Sequence, residues 1–67
     1  MRISYNKLWK MLIDKNMKKS DLKEMAGISS ASLAKLGKGD NITTDVLLRI
    51  CKVMDCRIED ILETVRD

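Results

Sequence analysis

The chain has no histidine and no proline, and only three glycines and two cysteines in 67 residues. Each shortage closes a class of function. Without histidine the commonest general acid–base group is missing, and no ring nitrogen is available to complete a zinc site with Cys51 and Cys56. Two cysteines are also too few for a disulfide framework, and both are expected to be small apolar core residues. Five positions apart on a helix and its exit, they are expected not to share a face. Isolated serines and cysteines have no base at a readable spacing, so the chain is not expected to be an enzyme and calls for no cofactor or metal. The longest apolar run is three residues, which excludes a membrane span. Ile3 is followed at once by Asn6, Lys7 and Lys10, which is no signal peptide, so a cytoplasmic location is expected.

What is present suits helices. Leu, Met, Lys, Glu and Asp abound, strand-forming runs are few, and the absence of proline leaves helix interiors undisturbed. The length allows one domain, residues 1–67, with no room for a second domain that senses a small-molecule effector. Such a domain buries only about 60% of its unfolded surface, so its core must be economical. The net charge of +3 is unevenly spread. Residues 1–39 carry nine Lys/Arg against three Asp/Glu, a balance of +6, whereas residues 40–67 carry four against seven, a balance of −3. A basic half of this kind is the electrostatic footprint of a polyanion ligand, or a solvated lysine-rich surface.

Apolar spacing predicts five helices behind a short extended arm, residues 1–4. Tyr5, Leu8, Trp9 and Leu12 fall on one stripe of a first helix over Tyr5 to Lys15, closed by Asn16-Met17. A second helix is predicted over Lys19 to Met25 and a third over Ser30 to Lys38. Thr43 caps a fourth, Thr44 to Met54, with Leu47, Ile50, Cys51 and Met54 inward. Ile58, Ile61, Leu62 and Val65 then predict a last helix over Ile58 to Val65, with Glu59 and Asp60 suited to its first turn. The common core should contain Leu8, Leu12, Leu22, Met25, Ala26, Ile28, Leu33, Leu36, Ile42, Leu47, Ile50, Met54, Ile58, Ile61 and Leu62. Trp9, the one tryptophan, is expected to cover that core where the first and last helices meet.

The most informative stretch is Lys18 to Gly39. Gly27 follows the last apolar residue of the second helix, where a left-handed cap needs a residue without a Cβ. Ser29 stands where the third helix needs an oxygen to cap its first amides. So short a corner sets two helices at a steep angle and pushes the third outward. Its outward residues are Ser30, Ala31, Ser32, Lys35 and Lys38, which are small, polar or basic, with no carboxylate among them.

Leu22-x-x-x-Ala26-Gly27-Ile28-Ser29-x-x-x-Leu33-x-x-Leu36, followed by Lys38-Gly39, resembles the lambda-repressor-like, or Cro-type, helix-turn-helix family. The segment Leu47-x-x-Ile50-Cys51-x-x-Met54-x-Cys56-x-Ile58-x-x-Ile61-Leu62 resembles that family's fourth and fifth helices, so the likeness covers nearly the whole chain. It implies an all-α, compact five-helix DNA-binding domain with the helix-turn-helix over residues 19–38 and the fourth and fifth helices over 44–65. It also implies that the third helix enters the major groove of double-stranded DNA. Carried over by position, Ser30, Ala31 and Lys35 match base-reading places, and Lys18, Lys19, Ser29, Ser32 and Lys38 match backbone places. The chemistry agrees: Lys donates to guanine O6 and N7, Ser serves donor or acceptor, and Ala suits a thymine methyl. Three residues depart from the family pattern. Lys18 replaces a Ser/Thr cap, Lys19 replaces a Gln, and Lys23 stands where a small residue is common, so its stem must bend outward. Few bidentate base contacts remain.

The resemblance implies a sequence-specific transcriptional regulator, a repressor acting as a homodimer on a short palindrome. Its dimer surface would be the arm with either the first or the last helix. The alternative is a protein-interaction module, an antitoxin or adaptor, whose acidic tail of Glu59, Asp60, Glu63 and Asp67 docks a basic protein partner.

Overall fold

The computed structural model describes residues 1–66; Asp67, the last of the acidic residues, lies outside them. Strand β1 (Arg2–Ser4) leads into α1 (Asn6–Asp14), α2 (Lys19–Ala26), α3 (Ser30–Lys38) and α4 (Thr44–Met54). A single 3-10 turn, Ile58–Asp60, and strand β2 (Glu63–Val65) follow. The architecture is mostly helical, with four α-helices rather than the five expected.

All four helices close the same way. A residue in the left-handed region follows each, namely Asn16 (φ 55°), Gly27 (φ 66°), Gly39 (φ 73°) and Asp55 (φ 52°). The amide beyond it reaches back five residues in each case: Met17 to Leu12, Ile28 to Lys23, Asp40 to Lys35 and Cys56 to Cys51, at 2.9–3.1 Å. That bond satisfies carbonyls a helix end otherwise leaves to solvent, and it turns the chain back onto its own helix. Gly39 is additionally constrained because a Cβ there would lie 3.3 Å from the carbonyl oxygen of Ile3.

The expected fifth helix over Ile58 to Val65 is corrected. Only one turn forms, capped by the Asp60 carboxylate accepting from the Arg57 amide at 2.9 Å. Glu63–Val65 then pairs antiparallel with β1, with Arg2 opposite Val65, Ile3 opposite Thr64 and Ser4 opposite Glu63. Eight residues make a marginal helix, whereas the arm supplies ladder partners and β-branched Thr64 and Val65 favour extended backbone. The arm is therefore extended as expected, but paired within the chain. Ser4 is buried, and its hydroxyl accepts from the Asn6 amide at 3.3 Å.

The core centres on Leu8, Leu12, Leu22, Leu36, Ile50 and Ile61, all essentially without solvent contact, with Tyr5, Ala26, Ile28, Leu47 and Met54 around them. α2 packs chiefly on α4. Two of the core residues expected from sequence are corrected: Met25 is 59% exposed and Ile58 38% exposed. Met25 sits one residue before Ala26, on the flank of α2 that turns away from Leu22 and Ala26, and Ile58 opens the surface 3-10 turn. Leu33, Ile42 and Leu62 are half-buried.

Cys51 and Cys56 are half-buried against the core, but the expectation that they stand apart is corrected. The left-handed Asp55 folds the chain back, so the Cys56 amide donates to the Cys51 carbonyl at 3.1 Å and the Cys56 thiol comes under the influence of Cys51. Burial, then the neighbouring Cys51, pushes the Cys56 thiol from 9.0 up to about 11. The folded state thus keeps a proton that the unfolded chain releases. Stability should be unaffected by this group below pH 9 and fall as pH rises from 9 to 11, a decline that Cys56→Ala should lessen in denaturant titrations.

Among the described residues, no helix is long and apolar enough to cross a membrane, and no three His, Cys, Asp or Glu side chains cluster as a metal site.

Candidate nucleic-acid interface

The turn between α2 and α3 is built from Gly27, Ile28 and Ser29. Gly27 takes the left-handed conformation, Ile28 is buried beneath the turn, and Ser29 caps α3 by accepting from the Ser32 amide at 3.1 Å. The Ser29 hydroxyl also donates to the Ser32 hydroxyl at 3.1 Å. Ser29 thereby spends its only proton inside the cap, and the Ser32 proton is the one left to point elsewhere.

At the start of α2, the Lys18 amide is satisfied by the Asp21 carboxylate at 2.9 Å, half of a capping box supplied from within the helix. The Asp21 amide, which a Ser/Thr side chain would cap, donates to the Lys18 carbonyl at 3.0 Å, and the Lys18 side chain is exposed. Lys19 is exposed too, with its ammonium 4.4 Å from the centroid of the Trp9 ring.

On α3, Ser30, Ala31, Lys35 and Lys38 are exposed, Ser32 is half-buried, and Leu36 anchors the helix in the core. Ala34 is exposed as well and lies one turn from Ala31 and Lys38. The sequence reading overlooked it, although its spacing from those residues places it on their face. Lys23 is half-buried.

Two supports for this corner were also not anticipated. Arg49 of α4 donates from its guanidinium to the Gly27 carbonyl at 3.3 Å while its Nε pairs with Asp45 at 3.1 Å. The Asp45/Arg49 spacing of four residues was legible; the reach to Gly27 was not. Tyr5, buried at the start of α1, donates its hydroxyl to the Asp40 carbonyl at 3.3 Å, which ties the loop after α3 to the N-terminal end of the chain. Burial raises the pKa of that phenol, keeping it a donor.

Trp9 is corrected in position. It does not meet a last helix but has its ring beside Lys19, and it lines a cavity of about 180 Å³ alongside Ser4, Asn6, Leu36 and Lys38. The contact between α1 and the 3-10 turn falls instead to Lys7, whose ammonium donates to the Glu59 carbonyl at 3.2 Å.

An outward helix held by a steep turn, basic and free of carboxylates, is the geometry of a groove-reading module. The Cro/C1-type HTH DNA-binding domain matches residues 7–67. The chain belongs to that family. A solved structure of the transcriptional regulator VanUg superposes with a TM-score of 0.94 at 50% sequence identity, covering 98% of this chain and 88% of that one. No curated protein matches. The paired β1 and β2 join the first and last described elements of this Cro/C1-type domain in one small two-stranded sheet.

Proposed function

We propose that this protein is a sequence-specific transcriptional regulator that binds double-stranded DNA as a homodimer and represses by occupying its site. The observation that carries the reading is α3: its exposed residues Ser30, Ala31, Ala34, Lys35 and Lys38 include no acid, and its two ends are fixed by Ser29 and Gly39. In this reading Ser30, Ala31 and Lys35 face base edges. Lys18, Lys19, Ser32 and Lys38 face phosphates, and Ser29 contributes by holding Ser32. Likeness to a transcriptional regulator over nearly the whole chain supports the biological role. A dimer on half-sites about 34–36 Å apart lets two modules with few base contacts act together. In this reading the protein acts in the cytoplasm, and occlusion requires no effector.

The test is a randomised-site selection with wild type and Lys35→Ala. Wild type should enrich a palindrome, and Lys35→Ala should lose preference at one position per half-site, worth about 1–3 kcal/mol there. An enriched site that is the same for both proteins removes Lys35 from base reading. No enrichment by wild type removes sequence-specific regulation altogether and moves support to a protein partner.

A further inference from the structure

Trp9 stands outside the fully buried centre and inside the basic surface. Trp9 is half-buried, the Lys19 ammonium sits 4.4 Å from the centroid of its ring, and Trp9 and Lys38 line one cavity. One residue of α1 therefore touches the cation that opens α2 and shares a cavity with the last residue of α3. An indole face attracts an ammonium more strongly than any other aromatic side chain does. A lysine on a flexible four-carbon stem otherwise samples many orientations, and a contact made by an already oriented charge loses less on binding.

We propose that Trp9 is a positioning residue for the DNA backbone, its ring holding Lys19 toward the phosphate side of α2 at a fixed separation from Lys38. This rests on the DNA-binding reading and adds to it a residue outside the helix-turn-helix. Trp9 touches no base and no phosphate itself; it acts through Lys19. A tryptophan that only covered the core would leave the salt dependence of DNA binding unchanged when replaced by another apolar side chain.

The experiment measures affinity for a mixed-sequence duplex at several salt concentrations for wild type, Lys19→Ala, Trp9→Leu, the double variant and Trp9→Phe, with folding checked by circular dichroism. Lys19→Ala and Trp9→Leu should each flatten the slope of log K against log salt by about one unit. The double variant should lose no more than either single one, because both remove the same contact. Trp9→Phe, which keeps a ring, should recover most of the slope. A folded Trp9→Leu with the wild-type slope, or losses that add in the double variant, would overturn the inference while leaving DNA binding in place. Absence of salt-dependent binding by wild type would overturn both. A second reading needs neither DNA nor a Trp9 variant. The chain has one tryptophan, so its emission reports that ring alone, and Lys19→Ala should change it in the free protein. Unchanged emission would also overturn the inference.

Discussion

Leu22→Ala should lower the thermal midpoint by about 10 °C or more, enough to leave much of the protein unfolded at 37 °C. Leu22 is fully buried where α2 packs on α4, and truncating such a residue costs about 2–5 kcal/mol. A domain of this length holds a total stability of roughly 3–10 kcal/mol, and each kcal/mol moves its midpoint by about 4–8 °C. Met25→Ala, three residues along the same helix, is the control. Met25 is 59% exposed, so its change should stay within about 0.5 kcal/mol. Equal shifts in circular-dichroism melts of the two variants would show that α2 does not face α4 as described.

Lys35→Glu combined with Lys38→Glu should weaken binding to any duplex by about 100-fold or more at 0.1 M salt. Each lysine that neutralises a phosphate releases counterions worth close to one unit of salt slope, and reversal adds repulsion to that loss. Both side chains are exposed on α3, so the fold should be unaffected, and the thermal midpoint should stay near wild type. Affinity within a few-fold of wild type at low salt would show that DNA does not approach α3.

The helix ends were legible because their chemistry is local. Gly27 and Gly39 announce left-handed caps, Ser29 and Thr43 announce N-caps, and each cap is where its sequence neighbours require it. The spacing of Ile58, Ile61, Leu62 and Val65 fits a helix equally well as a turn followed by a strand. What decided between them was β1, some sixty residues away, which no local period reveals. Cys51 and Cys56 were misjudged for a related reason. Counting along a helix fails once Asp55 turns left-handed, since the chain then doubles back. On the site, the exposed face of α3 was readable from the corner motif. Its supports were not: Tyr5 reaches Asp40, Arg49 reaches Gly27 and Trp9 meets Lys19 across turns whose angles the sequence leaves open.

The measurement that tests the central claim most directly is an amide NMR titration of the protein with a short duplex. If α3 lies in the groove, shifts should concentrate at residues 18–19 and 29–38 and spare the acidic turn at Ile58–Asp60. Shifts confined to that turn and β2, or spread evenly over the surface, would contradict the assignment of α3 as the DNA-reading helix.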